Sequence, residues 1–344
     1  MKTEASSKDQ RPTLRLLSLK NILIILVLGV FAYILLNTDF KRIWFHIREV
    51  PLPVLSLLFF LQLVTQFSLN FQWYRLCKAM KMKTSFSRLL VINAYGMIAD
   101  AMTPGEKVGG EVARVVQLKG MLKYSTYQST SLVTIQKSIS LTALILLCMA
   151  AVVTLSGEIA FLRSPAIRVV LMIALLSLAI FFLFLLFFTG KANGLVQKLP
   201  CSGKAASWFK SWMQSFTRDT KEIGKRPRQW IFQLLLSLGI WGLFPLKLFI
   251  LVSQNAKVNL LVLFAITFVS YFAAMIPLLP GGLGTFEGTM SGTLLLYGLT
   301  PEQSLAVSLV FRFVTFWFVV LFSAAIIIVW KIFQIRRKNR CEGQ

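Results

Sequence analysis

Two cations lie deep inside otherwise uncharged stretches of this sequence, where they could bind a lipid phosphate. Lys137 interrupts the run 126–156, and Arg312 interrupts the run 303–330. Such charges inside a membrane helix cost at least ~2.5–3.5 kcal/mol and usually serve a function. At 1.5 Å of rise per residue each lies about 14–16 Å along its helix, near the centre of a hydrocarbon core about 30 Å thick. The pair therefore predicts a phosphate clamp near the membrane midplane.

Three carboxylates and a further cation accompany these two positions. Asp100, Glu111 and Glu287 lie at or beside two short Pro-Gly segments, and Glu111 and Arg114 are three residues apart, close enough to pair on a helix. The carboxylates could simply neutralise the cations, or they could bind protons or the cationic part of a substrate. Both interpretations stay open, and all six charged residues are candidate substrate-binding residues.

The Pro-Gly segments predict the tips of two hairpins and act as candidate gates. Their residues are Pro104 and Gly105 in the first tip, and Pro280, Gly281, Gly282 and Gly284 in the second. Glycines permit a tight turn with open backbone N–H groups, and a helix beginning at Thr285 would direct its N-terminal dipole at an anion.

Composition indicates a polytopic membrane protein and excludes a soluble enzyme. Of 344 residues, 56% are hydrophobic and 15% are charged, against roughly 25% charged in soluble domains. The formal net charge of +24 fits cytoplasmic loops beside anionic lipid, so no nucleic-acid partner is expected. Four scattered cysteines and one histidine predict no disulfide framework and no metal site. No cofactor or catalytic motif is apparent.

The uncharged runs predict an all-α membrane domain over residues 1–344, with six full spans and two re-entrant hairpins. The spans are 21–38, 50–74, 126–156, 169–190, 229–253 and 303–330. The hairpins contain the runs 89–99, which Asp100, Pro104 and Gly105 stop, and 258–286. Basic segments place both termini in the cytoplasm of a cell inner (plasma) membrane. Lys247, near the end of its run, is expected to snorkel outward.

The two hairpin regions can be superposed in sequence as an inverted repeat, with units 50–156 and 229–330. Lys137 follows Pro104 by 33 residues, and Arg312 follows Pro280 by 32. Chance is the alternative, since Pro-Gly breaks are common in membrane helices. Inverted repeats with paired broken segments are typical of transporters. Segment 191–228 is predicted to be cytoplasmic and amphipathic, with Trp208, Trp212 and Phe216 on a face that lies on the inner leaflet.

The two motifs resemble those of a known family. Thr103-Pro104-Gly105-Glu106-Lys107-Val108-Gly109-Gly110-Glu111-Val112-Ala113-Arg114 and Pro280-Gly281-Gly282-Leu283-Gly284-Thr285-Phe286-Glu287 are similar to the signatures of the flippase-like membrane domain of lysylphosphatidylglycerol synthases. The helix of Arg312 is similar to its last span. Where the family often carries Glu-Arg and a later Asp, this chain has Gln136-Lys137 and Ser140. That removes a buried acid pair, and the sequence predicts no lysyl-transferase domain within these 344 residues.

The resemblance implies movement of a phospholipid or a polyprenyl-phosphate-linked lipid between leaflets, as by a flippase or scramblase. The alternative is a membrane-embedded lipid-modifying transferase, similar to a phosphatidylglycerol lysyltransferase or related to glycosyl-lipids, or its non-catalytic partner. A transporter is favoured over an enzyme because no donor motif exists. A lipid-synthesising enzyme is a possible partner.

Overall fold

Helices form the secondary structure of the ranges that the computed structural model describes: residues 40–103, 108–154, 163–198, 203–254, 256–276 and 279–342. A π-helical turn, Phe313–Trp317, joins the last two helices. In chain order the helices are α1 (Phe40–Arg48), α2 (Leu52–Ala79), α3 (Phe86–Met102), α4 (Val108–Leu122), α5 (Thr126–Thr154), α6 (Pro165–Phe187), α7 (Thr189–Lys198), α8 (Lys204–Gly224), α9 (Pro227–Val252), α10 (Leu260–Ala274), α11 (Thr285–Leu295), α12 (Pro301–Arg312) and α13 (Phe318–Glu342).

Within the described ranges, five helical segments are long and apolar enough to cross a membrane. They are Leu52–Ala79, Thr126–Val153, Pro165–Phe187, Pro227–Val252 and the continuous segment Pro301–Arg336. These segments confirm five of the predicted spans as apolar helices of sufficient length. The predicted span 21–38 lies outside the described residues.

Proline and polar caps explain where several of these helices begin. Proline occupies the first turn of α2, α6, α9 and α12, where its missing N–H leaves no helical hydrogen bond unmade. The side chain of Asn259 accepts a hydrogen bond from the Leu261 N–H at 3.0 Å and so caps α10. Thr300 and Gln303 form a reciprocal capping box at the start of α12.

The first broken segment folds as two antiparallel helices, α3 and α4, packed against each other. The Gly110 N–H donates to Asp100 Oδ1 at 2.9 Å, and a Cβ added to Gly96 would lie 2.5 Å from Arg114 Nε. The contacting positions, 100 with 110 and 96 with 114, lie progressively farther from the turn on both helices. This pattern indicates a helical hairpin. Its predicted tip residues, Pro104 and Gly105, lie outside the described residues.

The second broken segment turns through glycines between the 15-residue α10 and the 11-residue α11. Gly281 and Gly282 have φ of +62° and +68°, in the left-handed region that glycine adopts without steric cost. The Gly281 N–H donates to the Thr103 carbonyl at 3.3 Å, so this turn contacts the end of α3. At about 22 Å, α10 is shorter than a full span, as the hairpin prediction requires.

Alanine at Gly282 is expected to destabilise the protein by at least 1–3 kcal/mol. The positive φ is strained for any residue with a Cβ, and that Cβ would lie 2.6 Å from Ala274 Cβ and 2.9 Å from its carbonyl oxygen. Thermal unfolding in detergent measures the effect as a lower melting temperature. Gly288→Ala is the matched control, because a Cβ there meets no described atom within 4 Å. Equal melting temperatures for both variants would contradict this account of the turn.

Re-entry from opposite faces and the inverted repeat stay predictions; both require α9 to cross the membrane, and labelling tests that crossing. In a variant with Cys201 and Cys341 replaced by serine, an impermeant thiol reagent should label Ser207→Cys from the cytoplasmic face. It should label Ser253→Cys from the opposite face, because both positions are exposed and the spanning helix α9 separates them. The native Cys77 and Cys148 are buried. Labelling of both positions from one face would contradict the topology.

One end of the aromatic face of the amphipathic helix α8 packs against protein, and contact of the rest with the inner leaflet stays a prediction. Phe216 is 1% exposed and joins an apolar cluster with Trp73 and Leu76 of α2. Trp208, at 41%, stays exposed at the start of the helix. Burying Phe216 against neighbouring spans removes more apolar area from water than surface contact would, so the C-terminal half of the face is drawn inward.

Candidate functional site

A cavity lies in the interior of the helix bundle between two apolar clusters. One cluster packs Leu58 against Leu248 and Phe286, and the other packs Leu76 against Phe216. Helix α2 passes through both clusters, and between them Thr65, Gln66, Leu69 and Gln72 face the cavity. The cavity is lined by Thr65, Gln66, Leu69, Gln72, Trp73, Met97, Asp100, Glu111, Arg114, Gln136, Lys137, Ser140, Leu141, Ser237, Ile240, Trp241, Phe244, Tyr271, Met275, Thr315, Phe316, Val319 and Val320.

Four predicted site residues form one ion-pair cluster on the cavity wall. Lys137 Nζ lies 3.0 Å from Glu111 Oε1, and Arg114 Nη1 lies 3.3 Å from Glu111 Oε2. Arg114 Nη2 lies 3.4 Å from Asp100 Oδ2. The expected i, i+3 pairing of Glu111 with Arg114 is therefore present. With its side chain 30% exposed, Lys137 is the most accessible of the four. Equal numbers of cations and carboxylates leave the cluster formally neutral, so it offers both a cation and an anion to a headgroup.

The hairpin of α3 and α4 holds this cluster in place. Asp100, on α3, accepts the N–H of Gly110 in the first turn of α4, where backbone donors lack helical partners. A carboxylate at a helix N-terminus is also stabilised by the helix dipole. Asp100 therefore has a structural contact in addition to its pairing with Arg114, which leaves Glu111 and Lys137 as the more adaptable pair.

Neutral amides and hydroxyls complete the polar wall, and the sequence reasoning missed most of them. The Gln136 side-chain amide donates to Gln72 Oε1 at 3.1 Å, and the Gln72 amide donates to Ser237 Oγ at 2.5 Å. The Trp241 indole donates to Ser140 Oγ at 3.0 Å. A signal for them exists in α2, where Gln62, Thr65, Gln66, Leu69 and Gln72 follow helical spacing within an apolar span.

Arg312 and Glu287 form a separate pair and are not among the described residues that line the cavity. Arg312 Nε lies 3.4 Å from Glu287 Oε1, and Arg312 Nη2 donates to the Gly281 carbonyl. The guanidinium also lies 4.6 Å from the ring centre of Phe286 and 4.1 Å from that of Phe316. Phe316 does line the cavity, so one aromatic ring lies between Arg312 and the cavity. Lys137 and Arg312 therefore contact different carboxylates, and of the two Lys137 lines the cavity.

The glycine-rich turn does not present open N–H groups to a ligand. Helix α11 begins at Thr285 as predicted, but the Gly284 N–H donates to Glu287 Oε2 at 2.7 Å. The Gly282 N–H donates to the Leu279 carbonyl at 3.2 Å. The protein's own Glu287 therefore occupies the place predicted for a bound anion, because its position in the first turn lets it cap the helix.

The prediction that Lys247 extends outward to the membrane surface is wrong, because its side chain on α9 is fully buried. Side chains on a helix lean toward its N-terminus, which directs Lys247 away from the nearby end of α9 at Val252 and into the bundle. Across the described ranges, His, Cys, Asp and Glu form no group of three or more that could hold a metal ion.

Comparison with known proteins identifies the family. The model of the lysylphosphatidylglycerol synthase TM region matches residues 20–323, which include the cavity wall and both broken segments. The chain belongs to the lysylphosphatidylglycerol synthase TM region family. One relative is a UPF0104 membrane protein of Pyrococcus horikoshii. It is 22% identical to this chain over 75% of this chain and 81% of its own length.

A second UPF0104 membrane protein, from Methanothermobacter thermautotrophicus, is 22% identical over 72% of this chain and 77% of its own length. Neither name states an activity. Membership of the lysylphosphatidylglycerol synthase TM region family, together with five apolar helices of spanning length, identifies this chain as a multi-pass membrane protein.

Proposed function

We propose that this protein moves lipids with an anionic or phosphate-linked headgroup between membrane leaflets, as a flippase or scramblase does. The observation that carries the proposal is the interior cavity, whose wall combines paired charges with apolar surface. A charged headgroup cannot cross hydrocarbon alone, because an unpaired charge there is strongly unfavourable. Polar partners along the path replace part of the water that the headgroup loses.

The exchangeable ion pair supports headgroup binding. Lys137 holds Glu111 at 3.0 Å, while Arg114 contacts the same carboxylate at 3.3 Å. If Lys137 turns toward a phosphate, Glu111 retains Arg114 as a partner. A lipid amine could bind Glu111 in the same step. The cluster can therefore accept a headgroup without leaving a buried charge unpaired, which would otherwise cost 3–5 kcal/mol or more.

The meeting of the two broken segments supports a gated path. The Gly281 N–H and the Thr103 carbonyl join them at 3.3 Å, beside the cavity residues Asp100 and Phe316. In the proposed mechanism the segments enter from opposite faces, as units 50–156 and 229–330 of an inverted repeat. Separation of this contact on one face at a time would expose the cavity to each leaflet in turn.

Reconstitution tests the proposal. Purified protein in liposomes with a fluorescent phosphatidylglycerol in both leaflets should make the inner-leaflet probe accessible to an impermeant quencher. Protein-free liposomes and liposomes holding an unrelated helical membrane protein are the controls. Mass analysis of the same lipids detects any chemically altered product. Lipid exchange without product supports a transporter, and product formation supports the transferase alternative. Absence of both exchange and product would contradict the proposed function.

A further inference from the structure

Lys247 differs from the other deep cations in having neutral partners. Its side chain is fully buried in α9, and Nζ donates to Gln62 Oε1 and, at 3.2 Å, to Thr65 Oγ1. The same nitrogen lies 4.3 Å from the ring centre of Phe244. Arg114, Lys137 and Arg312 instead each contact a carboxylate within 3.4 Å.

The charge balance around the cavity therefore depends on Lys247. The described cations Arg114, Lys137 and Arg312 are matched in number by three carboxylates that contact them, Asp100, Glu111 and Glu287. These six charges sum to zero. An ammonium at Lys247 raises the sum to +1. In a site of low dielectric, one unmatched charge dominates the selection between headgroups of different net charge.

Hydrogen-bond donors also exceed acceptors around Lys247. An ammonium has three donors and no acceptor. The Gln62 amide nitrogen is buried and has no hydrogen-bond partner among the described residues. Buried donors are normally satisfied, so a group of surplus donors beside a cation is suited to an anion.

The ammonium lies one side chain behind the cavity wall. Thr65 and Phe244 both line the cavity, and both contact Lys247 Nζ. Thr65 lies 13 residues after the start of α2, about 20 Å along a helix of 28 residues, so this contact is near the middle of the span. The ammonium can therefore attract an anion in the cavity across one layer of side chains, near mid-membrane.

We propose that Lys247, with Gln62 and Thr65, supplies the counter-charge by which the cavity selects lipids whose headgroups carry a net negative charge. The inference rests on the proposed function and names its substrate class: a phosphodiester lipid without a compensating headgroup amine. Zwitterionic lipids satisfy the neutral cluster of Lys137 and Glu111 and gain little from Lys247. Binding of an anion also offsets the cost of holding an ammonium among neutral groups.

Direct binding tests this assignment separately from transport. The probes are dihexanoylphosphatidylglycerol, which is anionic, and dihexanoylphosphatidylcholine, which is zwitterionic, each titrated against the purified chain in detergent. Lys247→Gln should weaken binding of the anionic lipid at least tenfold and leave the zwitterionic lipid within twofold. The exposed Lys257→Gln is the matched control and should bind both lipids as the natural sequence does.

A second variant keeps Lys247 and balances its charge with a carboxylate at position 62. Gln62→Glu, which is nearly isosteric, puts a carboxylate beside Nζ and should raise the melting temperature while causing the same loss of anionic-lipid binding. This result separates a binding role from a packing role, even if Lys247→Gln does not fold. Unchanged preference for the anionic lipid in Gln62→Glu would overturn the proposal.

Soluble anions and liposomes complete the test. Glycerol phosphate should not bind detectably, and its binding as tightly as the anionic lipid would overturn the assignment to a lipid. Failure of the natural sequence to exchange lipid in liposomes would contradict the proposed function alone. Even in that case, loss of preference for the anionic lipid in the Lys247 and Gln62 variants would support the proposed anion site at Lys247.

Discussion

Replacing Arg312 with alanine is expected to destabilise the protein severely. The substitution removes the partner of Glu287, whose side chain is 8% exposed, and the donor to the Gly281 carbonyl at the second turn. Breaking a buried ion pair by removing one partner costs about 3–5 kcal/mol, a large share of a typical total stability of 5–15 kcal/mol. Thermal unfolding in detergent should show a much lower melting temperature or no folded fraction.

A double variant, compared with a control, decides whether Arg312 stabilises the fold or binds lipid. Arg312→Ala with Glu287→Gln removes both charges and should recover part of the stability. Lys331→Ala, an exposed change on α13, is the control and should melt as the natural sequence does. If the double variant also exchanges lipid, Arg312 serves the fold. A stable double variant that is inactive would instead place Arg312 in the lipid path and contradict a purely structural role.

Replacing Lys137 with glutamine is expected to slow lipid exchange by about 10- to 100-fold with little change in stability. A hydrogen bond from a charged group is worth roughly 1.5–3 kcal/mol, which corresponds to this factor if Lys137 binds the headgroup phosphate. Stability changes little because Glu111 keeps its contact with Arg114 at 3.3 Å. The liposome assay and thermal unfolding measure the two effects.

Lys119→Gln is the matched control for this prediction, because Lys119 lies exposed on the same helix as Glu111 and Arg114. It should exchange lipid at the natural rate. Lys137→Arg keeps the cation and should retain a substantial part of the activity. Equal rates for Lys137→Gln and Lys119→Gln would remove Lys137 from the headgroup path, leaving Lys247 as the cation to test there.

The two hairpin regions differ in how their charges are used. At the first, Asp100, Glu111 and Arg114 face the cavity, and the most exposed cation of their cluster comes from α5. At the second, both charges contact the glycine turn: Arg312 donates to the Gly281 carbonyl, and Glu287 caps the start of α11. Lys137 and Arg312 follow their prolines by nearly the same number of residues, but Lys137 is among the described residues that line the cavity and Arg312 is not.

The sequence by itself determined the helical class and five spans of this protein. Apolar runs must reach across a hydrocarbon core of about 30 Å, and the rise of 1.5 Å per residue makes their length decisive. Breaks in those runs, together with Pro280, Gly281 and Gly282, also indicated where the second turn lies. The pairing of Glu111 with Arg114 was predictable because it is local, within one helical turn.

Only the tertiary structure decided which distant side chains share a site. It stacks Arg312 on the ring of Phe316, buries Lys247 against Gln62, and draws Phe216 of α8 into the core. Run length reports how deep a residue lies in the membrane, but not which neighbour its helix packs against or which face it turns inward. Those choices follow from the combined packing of all the helices, because each polar side chain must find its partner on whichever helix lies opposite.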